Sequence, residues 1–213
     1  MEQLAASANP PLVTEADMTG GGDKSSLELV WTWSDAVEMI GTGDFDVVVW
    51  QEDLPLTDVD TFFEFARKFD TEIKKSGADT VLFMAWPDEE VGRRQSTPIT
   101  IEEIAQAHRD LATELGVEVA PVGLAWQRAM EERPEVDLYN ATRFHPSIYG
   151  TYLAANVVYA TVLGKNPSGL TYLPPEGIYT LSNGETISGI TEEEAAFLQR
   201  IAWETVQEYQ AQQ

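Results

Sequence analysis

The chain reads as an α/β protein, a parallel sheet covered by helices on both faces. Three observations carry that class. Short β-branched runs recur along the chain, they are apolar throughout instead of alternating, and amphipathic helical patterns lie between them. A run apolar on both faces marks a strand buried in a parallel sheet, and strands that alternate with helices are joined by right-handed crossovers.

In chain order, Leu12 to Met18 is expected as a strand, with the Gly20-Gly21-Gly22 turn behind it. Leu27, Val30, Trp31, Ser34, Val37 and Ile40 repeat at three and four residues and predict a helix. Phe45 to Trp50 (FDVVVW) is the strongest strand, entered from Gly41-Thr42-Gly43-Asp44 and left through Gln51-Glu52-Asp53. Phe62, Phe65, Ala66, Phe69 and Ile73 predict the next helix. Thr80 to Trp86 is a strand introduced by Gly77-Ala78-Asp79 and stopped by Pro87. Thr100 to Leu115 is helical, with Thr100 and Glu103 in capping-box spacing. Val117 to Val122 is a weaker strand.

The last third differs. Ser147 to Leu163 is a helix with Tyr149, Leu153, Val157 and Val162 to bury, and Pro167 to Gly189 is loop-like around a Ser182-Asn183-Gly184 turn. Thr191 and Glu194 then cap a closing helix. No repeat or linker interrupts the chain. Residues 1–213 are expected to form one domain, with its core over 11–163 and a C-terminal loop and closing helix over 164–210.

The 213 residues carry 13 Lys and Arg against 36 Asp and Glu, a net charge of −23. Such a chain is repelled by phosphate backbones and anionic leaflets, so neither nucleic acid nor a membrane surface is expected as a partner. The acids are dispersed, which fits a solvated, salt-tolerant coat. There is no cysteine, which excludes disulfides, thiolate catalysis and thiolate-held metals. No apolar run reaches the roughly 18 residues of a membrane span. Met1 to Pro10 has neither the basic nor the apolar region of a secretory signal. A start further upstream would change that, so the compartment stays open.

Ligands of open α/β sheets bind at the carboxyl ends of the strands. Those positions hold Gly20 to Gly22, Gln51-Glu52-Asp53, Trp86-Pro87-Asp88 and Gly123 to Trp126, and Arg143-Phe144-His145-Pro146-Ser147 can join them. His145 lies in a loop whose direction Pro146 fixes. A catalytic role stands beside the alternative of a loop histidine bonded to backbone. His108, mid-helix among Ile104, Ala107 and Leu111, reads as a surface or half-buried helix residue.

Phe45 to Asp53 (FDVVVWQED), Thr80 to Trp86 (TVLFMAW), Val119 to Trp126 (VAPVGLAW) and above all His145 to Ala155 (HPSIYGTYLAA) resemble SGNH/GDSL-type hydrolases over roughly residues 1–163. The resemblance implies a three-layer α/β/α, flavodoxin-like fold and hydrolysis of small or short-acyl carboxylic esters by a Ser-His-Asp arrangement, without a cofactor or metal. His145 takes the place of the base. Gly21 or Gly22 takes that of the oxyanion-hole glycine, and Gln51 that of a polar oxyanion-side residue.

The chain departs from the family twice. It lacks the N-terminal Gly-Asn/Asp-Ser block that carries the nucleophile, and it begins within the helix that should follow. Thr142 stands three residues before His145, where the family has its acid. Ser25, Ser26 and Ser147 are the replacement candidates for the nucleophile, each also a plausible helix cap. Asp137 and Glu52 are candidates to orient His145.

The first strand is therefore expected to be missing or replaced. Another segment or a second subunit supplies it, the sheet closes without it, or the chain is part of a longer product. A homo-oligomer covering the exposed edges follows from the first. Two other functions compete with the esterase. One is a catalytically silent module binding a carbohydrate or acylated ligand through Trp50, Trp86 and Trp126. The other is a metal-dependent hydrolase built on Glu52, Asp53, Asp88 and His145.

Overall fold

A computed structural model describes residues 1–20, 26–54, 57–88 and 99–212. Along the chain run α1 (Glu2–Ala6), α2 (Leu27–Trp33), α3 (Ala36–Thr42), β1 (Val47–Gln51), α4 (Val59–Ser76), β2 (Asp79–Phe83), α5 (Ile101–Leu115) and β3 (Glu118–Ala120). There follow α6 (Val122–Glu132), α7 (Ile148–Leu163), β4 (Tyr179–Thr180), β5 (Thr186–Ile187) and α8 (Glu192–Gln210). They fall into two compact units. A sheet unit comprises Asp17–Ala85 and Gly92–Ala120, and a helical unit comprises Met1–Ala16, Trp86–Val91 and Pro121–Gln213.

The sheet is parallel and three-stranded, in the order β1-β2-β3, with Val49 opposite Val81 and Leu82 opposite Val119. Val81 and Leu82 point to opposite faces of β2 and are both buried, so the central strand is covered on both sides. Among the described residues β1 and β3 are its edges. α4 packs on β2 and buries Phe62, Ala66, Phe69 and Ile73, the apolar stripe legible in the sequence. Asp58 caps its start by accepting the Thr61 N–H at 2.8 Å, and Gly77, at φ 90°, ends it in the left-handed conformation. The Thr100/Glu103 capping box opens α5 as the spacing predicts.

Three expectations change. Residues 12–18 form no strand: Val13 and Met18 are over nine-tenths exposed, so the run has no apolar face to bury. The single helix expected from Leu27 to Ile40 breaks at Ser34. Its backbone is extended, and its hydroxyl donates to the Val30 carbonyl at 2.6 Å and accepts the Ala36 N–H, offering the chain an alternative to the helix. Gly123 to Trp126 is no strand-end loop but the first turn of α6. Val122, Ala125, Trp126 and Ala129 recur at helical spacing and are all buried. The Ser182-Asn183-Gly184 turn is present, flanked by a short antiparallel hairpin of β4 and β5.

In the helical unit α6, α7 and α8 pack on one another and α1 packs on α7. Across the α7–α8 seam the Tyr149 hydroxyl donates to Glu194 and the Gln199 amide donates to the Tyr152 hydroxyl, both at 2.8 Å. Between α6 and α8, Arg128, Glu132, Arg200 and Glu204 close a ring of ion pairs at 2.6–3.0 Å. Gly150 lies where α7 meets α6. A Cβ there would overlap the Trp126 ring and the Leu138 carbonyl, so the close approach needs glycine.

Candidate functional site

The loop from Leu138 to Ser147 carries His145. It is closed by the Ser147 N–H donating to the Leu138 carbonyl at 2.8 Å and the Asn140 N–H donating to the His145 carbonyl at 3.0 Å. Inside it the Arg143 N–H donates to the Asn140 carbonyl at 2.9 Å, and Arg143 itself holds φ 63°, a left-handed conformation costly for a residue with a side chain. That turn brings Thr142 and His145 face to face. His145 Nδ1 lies 3.2 Å from Thr142 Oγ1, and the His145 N–H donates to the same oxygen at 3.1 Å. Thr142 Oγ1 is in turn 2.7 Å from Asn140 Oδ1. The imidazole is exposed, and its Nε2 makes no hydrogen bond among the described residues.

Trp86 braces this loop from outside. Its indole N–H donates to the Phe144 carbonyl at 3.1 Å, fixing the residue before His145. Its ring stacks on Trp126 at 3.9 Å and 10°, and Tyr139 meets Trp126 edge-on. The Tyr139 hydroxyl donates to the Pro87 carbonyl at 2.8 Å. Trp126 is buried and Trp86 half-buried, so the stack anchors the Trp86 indole that bonds the loop.

Ser147 caps α7. Its hydroxyl donates to the Asp137 carbonyl at 2.7 Å and accepts the N–H groups of Tyr149 and Gly150, so its proton is already committed. Asp137 serves the same loop: its carboxylate accepts the Tyr139 N–H at 3.1 Å and the Ser182 N–H at 2.8 Å.

The other candidates lie in the sheet unit. Ser26 is buried and caps α2, accepting the Leu29 N–H at 3.3 Å. Gln51 is exposed at the end of β1. Glu52, the next residue, is 1% exposed and holds the Leu27 N–H at 3.1 Å and the Asp53 N–H at 2.8 Å. Burial pushes its carboxyl up to about 7, against the opposing pull of the Leu27, Thr57 and Asp53 donors. Gly21, Gly22 and Ser25 lie outside the described residues.

His108 is fully buried, not half-buried. Its Nδ1 bonds the Ile104 carbonyl at 2.8 Å, its ring packs on Phe62, and burial lowers its pKa to about 4, keeping it neutral. Trp50 is buried edge-on to Phe62. Among the described residues no group of three His, Asp or Glu side chains could hold a metal ion. Likewise, no described helix is long and apolar enough to cross a membrane.

Asn140 is the site residue that sequence reasoning missed. Its signal was local: asparagine two positions before Thr142 is the pattern of a side chain bonding its own backbone in a turn.

No protein-family model and no curated protein matches the chain. Solved structures do. A DUF4886 family protein from Bacteroides uniformis superposes with a TM-score of 0.60 over 81% of this chain and 66% of its own, at 16% identity. A candidate SGNH hydrolase from Slackia heliotrinireducens superposes with a TM-score of 0.52 over 64% of this chain and 79% of its own, at 23% identity. The chain thus spans just under two thirds of the length of the first. At such identities the likeness speaks for architecture. Together with the parallel sheet and its crossover helices, it shows that the chain has the α/β fold of SGNH-type hydrolases.

Proposed function

We propose that the chain hydrolyses small or short-acyl carboxylic esters, with His145 as general base. The observation that carries this reading is the presentation of His145: Nδ1 is held by Thr142 on an exposed residue, and Nε2 makes no hydrogen bond among the described residues. An imidazole so held can take a proton at Nε2 from an attacking hydroxyl as its oxygen adds to the ester carbonyl. It then returns that proton to the leaving alkoxide. Where the nucleophile is a serine, the same Nε2 next takes a proton from a water that attacks the acyl-enzyme and passes it to the serine oxygen as the carboxylic acid leaves. Ser147 and Ser26 act as caps, and the attacking group in this reading is another serine hydroxyl or a water molecule. The oxyanion-side roles of Gly21, Gly22 and Gln51 rest on the sequence resemblance alone.

Turnover of p-nitrophenyl acetate and butyrate by the wild type and by His145→Ala tests the proposal. Activity that falls to background in the variant supports it, and activity indifferent to the substitution overturns it. Intact mass after a serine-directed fluorophosphonate separates the two nucleophiles, since only a serine is labelled. A second reading, a catalytically silent binding module, is favoured by the uncharged Thr142 in the acid's place. It predicts no turnover by the wild type.

A further inference from the structure

The hydrogen-bond polarity around His145 can be worked out from one donor whose sense is certain. The backbone N–H of Thr142 points at the Asn140 side chain at 2.8 Å. A backbone N–H can only donate, so the atom it meets is the amide oxygen of Asn140, not the nitrogen. The Thr142 hydroxyl lies 2.7 Å from that same oxygen. An amide oxygen can only accept, so the hydroxyl spends its single proton there. What remains on Thr142 Oγ1 is two lone pairs. One receives the backbone N–H of His145 at 3.1 Å, and the other faces His145 Nδ1 at 3.2 Å. Nδ1 must then carry the ring proton, which leaves Nε2 bare.

From this chain of donors we infer that Asn140 is a positioning residue for His145: by fixing the direction of the Thr142 hydroxyl, it selects the Nδ1–H tautomer and keeps Nε2 free as the base. Without the Asn140 oxygen the threonine hydroxyl can rotate and donate to Nδ1, which moves the ring proton to Nε2 and blocks the basic nitrogen. In a triad the carboxylate both selects the tautomer and stabilises the imidazolium. The Asn140–Thr142 pair supplies the first function and, being uncharged, omits the second. The inference rests on the esterase reading only for its catalytic consequence; the tautomer exists whether or not the protein is an enzyme.

The test is long-range 1H–15N correlation of the imidazole rings in full-length protein labelled at histidine, recorded at a pH where the rings are neutral. With only His108 and His145 present, the buried His108 serves as an internal control of folding. The wild type is expected to show His145 protonated at Nδ1. Asn140→Ala should shift the proton toward Nε2, Thr142→Val should remove the Nδ1 preference, and Asn140→Asp, which keeps an acceptor in place, should retain it. In the ester assay Asn140→Ala should lower kcat about tenfold with KM unchanged. A wild-type His145 protonated at Nε2, or an Asn140→Ala spectrum unchanged at His145, overturns the inference. Since the wild-type spectrum alone can do so, a variant that fails to fold does not protect it. The expected tautomers in a protein without ester turnover would overturn the esterase reading and leave the positioning role standing.

Discussion

The carboxylate of Glu52 accepts the backbone N–H of Leu27 at 3.1 Å, tying the first turn of α2 to the residue that follows β1. Because this acid is buried, its carboxyl titrates near 7 in the folded protein against an ordinary value of 4.5. Between those values the native state binds more proton than the unfolded state. The stabilisation is therefore fully present below about pH 4.5 and is lost as pH rises through about 7. Its size is on the order of 3 kcal/mol. Glu52→Gln should abolish this component. Thermal melts of both proteins from pH 4.5 to 8 are expected to diverge in favour of the variant as pH rises, and parallel curves would refute the prediction.

Ser147→Ala separates cap from nucleophile. The substitution removes the acceptor for Tyr149 and Gly150 and the donor to the Asp137 carbonyl, which should cost about 1–2 kcal/mol in urea unfolding. Ester turnover per folded molecule is expected to persist. A stable but inactive variant would make Ser147 a reacting group after all.

At Gly150 a single methyl group should be severe. An alanine Cβ overlaps the Trp126 ring and the Leu138 carbonyl, neither of which can move without disturbing α6 or the loop that leads to His145. Gly150→Ala is expected to destabilise the protein by about 2–3 kcal/mol, read as a lowered denaturation midpoint. A shift of the midpoint within error would show that the seam is looser than the contacts imply.

Salt should stabilise the fold as a whole. With a net charge of −23, self-repulsion is long-ranged, and raising ionic strength shortens the Debye length to about 3 Å at 1 M. Melting temperature should therefore rise with sodium chloride. The α6–α8 ion ring works in the opposite sense, because its members are about a third exposed and contribute little each. In Arg128→Ala the rise should be steeper, since a screened attraction is lost and one more unit of negative charge is left. An equal slope in both proteins would count against the ring.

The parts of this protein readable from its sequence are those fixed within a few residues. The capping boxes at Thr100 and Thr191 and the apolar stripe of α4 depend on neighbours along one helix. The same holds for the β-branched run that becomes β1. Thr142 was legible as the residue three before His145, the place of the acid in the family the sequence resembles. The loop that gives both their geometry was not, because it depends on Arg143 in a left-handed conformation and on the Trp86 N–H reaching a carbonyl 58 positions away. Residues 12–18 misled for the converse reason. Local composition suggests a strand, but a strand needs a partner and a buried face, and Val13 and Met18 have no buried face.

Two indoles stacked at 3.9 Å and nearly parallel are coupled chromophores as well as packing. Their ultraviolet transitions mix, so, with the in-plane transition dipoles skewed to one another, the Trp86–Trp126 pair should give a circular-dichroism couplet that a lone tryptophan cannot produce. Because the Trp86 N–H also holds the Phe144 carbonyl, the couplet should fade when the His145 loop detaches, even while the far-ultraviolet helix signal persists. The couplet is then expected to report optically on whether the tie between Trp86 and Phe144 is intact.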